Sequence, residues 1–248
     1  MKRLKPLFII ATLLAVSACG KQTDYADEND AAQAMIQCNQ LYDKGNYDEA
    51  TKCYEMFRTR FGGSGYSADA ELKMADIFFE KKEYLLAAES YRAFAKLHPS
   101  HRKLSYVYYR AGLAYLKESP KAVSRDQQYL DDSIGYLEIG LRYFPDSPYE
   151  AETRVAYQEA RRRLGARDLY VGKFYYKRKE YRSALARFAE VADEYPDLGL
   201  DEEALYLLAK SYLELGERQK AFEVTAILKR RHPESKYLAR LVNDLGID

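Results

Sequence analysis

Few residues in this chain are of types that do chemistry. Of 248 residues, three are Cys and three are His. His98 and His232 each stand immediately before a proline, at matching places in a repeated pattern, which marks them as structural; His101 is alone in a turn-forming stretch. No nucleophile has a base at helical spacing, and Cys38 and Cys53 lack the His partners of a zinc site. The glycine-rich "FGGSG" (61–65) follows no strand pattern and reads as a turn between helices. Carboxylates are numerous but scattered over helix faces. An enzyme, a metal site and a bound cofactor are therefore not expected. For Cys38 and Cys53 two readings stand open: a disulfide, if the compartment is oxidising, or two small buried hydrophobes.

Cys19 belongs to a different chemistry. Lys2, Arg3 and Lys5 precede an apolar stretch from Leu7 to Val16, and Val16-Ser17-Ala18 lead into the cysteine. A basic start, a short apolar core and small residues at the cut are the parts of a secretory signal. The run is too short for a spanning helix, which takes about 20 apolar residues. Val16 to Cys19 resembles the lipobox of bacterial lipoproteins. That resemblance implies removal of residues 1–18, acylation of Cys19 and attachment to a bilayer, where each buried methylene contributes roughly 0.8 kcal/mol. Gly20 stands where inner-membrane retention uses Asp, so the implied site is the outer membrane, facing the periplasm. Residues 19–30 then read as the lipidated cysteine and a polar, acidic tether.

Net charge is +1, which gives no whole-chain field for nucleic acid. Hydrophobic residues make up 47%, enough for a core. There are 24 Tyr and no Trp; Tyr buries a ring while keeping its hydroxyl wet, which suits thin helical layers and binding surfaces. One charge run stands out. Between 161 and 187 lie Arg161, Arg162, Arg163, Arg167, Lys173, Lys177, Arg178, Lys179, Arg182 and Arg187, opposed along the chain only by Asp168 and Glu180. It reads either as a solvated basic face or as a docking site for an acidic partner.

The elements that position these groups come from self-similarity. Segments 45–62, 82–99, 179–196 and 216–233 align on Gly62, Pro99, Pro196 and Pro233. Twelve residues earlier stand Ala50, Ala87, Ala184 and Ala221; eight earlier stand Tyr54, Tyr91, Phe188 and Thr225. A divergent copy ends at Pro145 with Ser133 in the alanine slot. First helices carry a small residue at Cys38, Ala75, Gly172 and Ala209. This pattern resembles the tetratricopeptide repeat, two antiparallel helices per unit. The small residue admits the partner helix, the large one fills the gap to the next unit, and proline ends the second helix. The expected fold is all-α: a right-handed solenoid of about five helix pairs. Residues 31–146 hold units one to three, with an insertion at 120–132. Residues 147–248 hold units four and five and a capping helix. One long helix from about 148 to 179 joins the halves, with Gly165 as a candidate kink.

A lipobox followed by five such units, with "RDQQYLDDSIGYLEIGLRYFPDSPYEAE" in the third and "YVGKFYYKRKEYRSALARF" in the fourth, resembles the BamD family of outer-membrane β-barrel assembly lipoproteins over the whole chain. The resemblance implies a non-enzymatic scaffold of the Bam complex. Its C-terminal half would bind a BamA-like barrel subunit, and its N-terminal half would receive the aromatic C-terminal signal of unfolded outer-membrane proteins. The resemblance leaves open whether other Bam lipoproteins are further partners; the bilayer is reached through Cys19, and no nucleic acid is expected. In that family an arginine three residues after the fourth unit's alanine contacts the barrel subunit. Here the slot holds Arg187, with Arg182 and Arg178 beside it. The inward slots of the first helices place Asn39, Tyr42 and Asp43, then Asp76 and Phe79, then Tyr106 and Tyr109 on one face, where an extended peptide would stack its aromatic end; ring packing between helices is the alternative for each. A lipoprotein pilotin for a secretin or type IV pilus is the runner-up function, and an envelope enzyme the third.

Overall fold

In the computed structural model, residues 28–246 are described. The signal segment, Cys19 and most of the tether lie outside the described residues. Eleven helices and no strand occur among the described residues. They are α1 (Glu28–Asp43), α2 (Tyr47–Phe61), α3 (Ser67–Glu80), α4 (Tyr84–Leu97), α5 (Leu104–Glu118), α6 (Gln128–Tyr143), α7 (Glu150–Lys177), α8 (Tyr181–Glu194), α9 (Asp201–Glu214), α10 (Arg218–Arg231) and α11 (Leu238–Leu245). Each helix packs on its chain neighbour, and α7 also packs on α5. The result is a tetratricopeptide-like solenoid of five helix pairs with α11 as its cap.

The repeat slots explain the packing. Ala50, Ala87, Ser133, Ala184 and Ala221 are all fully buried, because a larger side chain there would hold the paired helix away. Four residues on, Tyr54, Tyr91, Leu137 and Phe188 are fully buried, with Thr225 nearly so. In the third unit the first-helix small residue is Gly112. A Cβ there would lie 2.4 Å from Leu137 Cγ, and the Ser133 hydroxyl donates to the Gly112 carbonyl at 2.8 Å. The turn inside four of the five pairs takes a left-handed residue at one fixed slot, Gly45 (φ 75), Lys82 (φ 63), Lys179 (φ 63) and Gly216 (φ 73), whereas in the third unit that slot is Ser119 with φ −60. Glycine adopts the left-handed conformation without strain, whereas a lysine there costs roughly 1 kcal/mol.

Several boundaries differ from the sequence expectation. The first helix starts at Glu28, inside the expected tether. The third unit's insertion ends at Gln127, whose amide donates to the carbonyls of Pro120 (2.9 Å) and Ala122 (3.0 Å) and ties the loop closed; α6 begins immediately after. Helix α7 runs uninterrupted through Gly165. That glycine serves close approach: a Cβ would lie 2.9 Å from both Tyr195 and Leu200. The N-terminal part of α7 covers the third unit through Ala156 and Ala160. Its C-terminal part is the fourth unit's first helix, with Leu169 in the last core cluster; Leu164 packs against both clusters. Arg163 pins the junction by donating to the carbonyls of Leu116 (3.0 Å) and Ser119 (2.8 Å), and burial pushes its guanidinium down from its ordinary value.

Candidate functional site

The first-helix face of units one to three gathers most of the predicted groove. Asp76 of α3 is buried and accepts hydrogen bonds from the phenols of Tyr91 (2.6 Å) and Tyr106 (2.7 Å). Arg110 of α5 lies over the Phe79 ring at 3.7 Å, donates to Tyr91 Oη at 3.1 Å and pairs with Glu80 at 3.2 Å. One turn of solenoid earlier, Lys73 sits over the Tyr42 ring at 4.1 Å, and Tyr54 Oη donates to Asn39 Oδ1 at 2.7 Å. Asn39, Tyr42, Asp76, Phe79 and Tyr106 thus occupy one aromatic and polar surface. Tyr109 stands on its margin and stacks on Tyr149 at 6.0 Å with ring planes 10° apart. Asp43 is exposed at the end of α1, and its charge, after burial, helps hold the Tyr54 phenol above its ordinary value.

Burial and neighbouring charges set the protonation of this face. Burial, followed by the charges of Asp76 and Glu80, pushes the Tyr42 phenol up to about 12. Tyr91 and Tyr106 are raised for the same reasons, burial first and Asp76 second. Burial alone would lower Arg110, but Tyr91, Tyr106 and Asp76 outweigh it and hold the guanidinium above its ordinary value. At neutral pH the phenols stay protonated and the arginine stays charged. The face offers aromatic rings, phenol hydroxyls and a guanidinium held in place by hydrogen bonds. It continues into an open cleft of about 660 Å³ between α5 and α7, lined by Tyr109, Leu113, Leu116, Val155 and Ala156.

Lys73 and Arg110 are absent from the predicted set, although both stand two residues before their unit's small slot, Ala75 and Gly112. That spacing was readable once Gly112 is placed, but the third unit's insertion hides its register. Tyr149, just before α7, belongs to no repeat slot and gave no signal.

The basic run is less bare in space than along the chain. Arg161 meets Asp197 at 3.0 Å, Lys173 meets Glu203 at 2.7 Å and Arg178 meets Glu180 at 3.0 Å. Arg187 reaches Glu190 at 3.0 Å and Asp168 at 3.5 Å and remains half-exposed. Arg182 is exposed. Burial, then Glu190, raises the Asp168 carboxyl against the opposing pull of Arg187 and Arg167. The predicted Arg178, Arg182 and Arg187 therefore lie at the surface of the fourth unit.

The structure joins Cys38 to Cys53 by a disulfide between α1 and α2, with Cα atoms 5.4 Å apart. The histidines before proline pair with carboxylates: His98 with Glu71 at 2.9 Å and His232 with Asp201 at 2.7 Å. Among the described residues no cluster of three or more metal-ligating side chains occurs, and no helix is long and apolar enough to cross a membrane.

Known proteins match this arrangement along most of its length. An outer membrane protein assembly factor BamD from Rickettsia prowazekii is 30% identical, covering 82% of each chain. One of the same name from Neisseria meningitidis is 28% identical over 94% of this chain and 93% of its own. Among solved structures, the complex of the yeast Sti1 TPR2AB domain with an HSP90 peptide is similar with a TM-score of 0.46 and 17% identity, covering 87% of this chain and 84% of that one. The family model YfiO, described as outer membrane lipoprotein, matches residues 27–228. Spanning four of the five helix pairs and most of the fifth, that match places the chain in the YfiO outer membrane lipoprotein family.

Proposed function

We propose that the protein is a non-enzymatic scaffold for assembly of β-barrel proteins in the outer membrane. The observation that carries this reading is the preformed face of Asp76, Tyr106 and Arg110, beside the Tyr109–Tyr149 ledge, on a chain of an outer membrane lipoprotein family. The name of its relatives, outer membrane protein assembly factor, supports the same function. The N-terminal face binds the aromatic end of an unfolded barrel protein, with rings stacking on Tyr109 and Tyr149. The surface of Arg178, Arg182 and Arg187 binds a BamA-like barrel subunit through carboxylates. Acyl chains on Cys19 hold the scaffold to the outer membrane, facing the periplasm.

Depleting the protein in its own cells tests this. The expected result is a lower yield of many folded barrels. Loss of a single secretin with other barrels unaffected contradicts it and indicates a pilotin. Arg187→Glu is expected to weaken copurification with the barrel subunit in detergent; unchanged copurification removes that contact.

A further inference from the structure

The repeat register exposes a face that its equivalents cover. Two residues after the first-helix small slot stand Ile77, Ala114 and Ser211 in units two, three and five, all buried at 0–1% exposure. Ile77 belongs to the same core cluster as Tyr54, Phe57 and Phe61, so the second helix of the preceding unit covers this slot. In unit four the same slot is Phe174, which is 49% exposed. Two residues before the small slot stand Lys73 and Arg110, which lie over rings of the preceding unit. The unit-four equivalent is Tyr170, 46% exposed. Unit one, which has no described unit before it, behaves the same way: Ile36 is 49% exposed.

The cause is the length of α7. Its N-terminal part packs on α5 and α6, so the third unit is already covered when the fourth begins. The C-terminal part of α7 therefore starts a second stack with its leading face open. Charge marks that face. Arg167, Lys173, Lys177 and Arg178 all lie three or four residues from Tyr170 or Phe174, on neighbouring helix positions. Arg178 also lies over the Phe174 ring at 5.4 Å. The one acid of α7 beyond Ala160 is Asp168, which is buried.

We propose that Tyr170 and Phe174 form a docking face for an amphipathic helix of a partner protein, apolar on one side and flanked by acidic residues. The helix takes the place that the second helix of a preceding unit takes elsewhere in the solenoid, and its carboxylates meet Arg167, Lys177 and Arg178. This rests on the scaffold reading above but names a face distinct from the N-terminal face and from Arg182 and Arg187, with Arg178 at the border it shares with them.

The test is photo-crosslinking of the full chain in its own cells, with a benzophenone residue at position 170 or 174 and the crosslinked peptide sequenced. The expected product joins a helical partner segment with apolar residues at i, i+3 and i+4 and acidic flanks. Arg167→Glu together with Lys177→Glu is expected to lower its yield about tenfold, as for loss of a hot spot. Tyr170→Ser and Phe174→Ser are expected to abolish copurification of that partner without changing the melting temperature. No crosslink, a crosslink to a second copy of this chain, or a partner segment of extended or basic character overturns the proposal. These results leave the scaffold reading standing if depletion still lowers barrel yield. A crosslink of the expected kind with barrel yield unaffected by depletion sinks the scaffold reading alone.

Discussion

The two halves of the solenoid use the same repeat and spend their polar groups differently. In unit two the large slot is Tyr91, whose hydroxyl is drawn into a buried network with Asp76, Tyr106 and Arg110. In unit four it is Phe188, packed against Gly172, where a Cβ would lie 2.6 Å from the ring. The N-terminal half draws its large-slot tyrosine, a carboxylate and a guanidinium into one network across units two and three. The C-terminal half keeps its large slots free of charge partners, although it buries Asp168 and Asp201, and carries surface pairs such as Lys173–Glu203 and Arg187–Glu190. A buried, satisfied network gives a preformed surface; exposed pairs are worth little and exchange partners readily. In the proposed function the first serves as a fixed groove and the second as a surface that trades its carboxylates for those of a partner.

The largest expected effects compare the two large slots directly. Phe188→Ala leaves a cavity and should cost about 3–5 kcal/mol in chemical denaturation. Tyr91→Ala should cost more, because it also strips a partner from Asp76 and Arg110, and Tyr91→Phe alone should cost about 1–3 kcal/mol. Equal costs for the two alanine variants would mean that the network adds nothing.

Reducing the Cys38–Cys53 disulfide comes next. It closes a separation of 15 residues, and its loss should destabilise by about 3 kcal/mol in the chain-entropy account. Hydrogen exchange should speed in α1 and α2 while α8 to α10 keep their protection. Faster exchange throughout would show the halves to be one cooperative unit.

Smaller effects belong to single turns and charges. Lys82→Gly and Lys179→Gly should each raise stability by up to about 1 kcal/mol, since the slot is left-handed. The smallest is a pH effect at Asp168. Its folded carboxyl is raised above 3.8, so the folded chain holds that proton more tightly than the unfolded chain. The resulting stability is complete below the unfolded value and is lost as pH rises through the folded one. Asp168→Asn should flatten that decline in denaturation measured from pH 3 to about 7; a steeper decline in the variant contradicts the sign.

The helix pairs were legible in the sequence because their constraints are local. A small residue, a large one four later and a proline eight beyond that fix both helix and partner, as Ala87, Tyr91 and Pro99 do. The inward slots were legible for the same reason, which is why Asn39, Tyr42, Asp76, Phe79 and Tyr106 meet on one face. Asp43, the last residue of α1, is exposed beside them and acts on Tyr54 through its charge. What was hidden depended on residues distant in the chain. Sequence counting set Lys173 and Arg161 among unpaired cations, whereas Glu203 and Asp197 approach from the following unit. Gly165 looked like a kink because its reason, the approach of Tyr195 and Leu200, lies 30 or more residues away. Arg110 went unseen because an insertion hid the register of its unit.

The division of labour between the halves is tested most directly by calorimetric titration of the full chain with a synthetic peptide ending in an aromatic residue and a free carboxylate. Tyr109→Ala with Tyr149→Ala should weaken binding about tenfold, while Arg187→Glu leaves it unchanged. No measurable binding to the native chain, or loss of binding in Arg187→Glu with the tyrosine variant unaffected, contradicts the account.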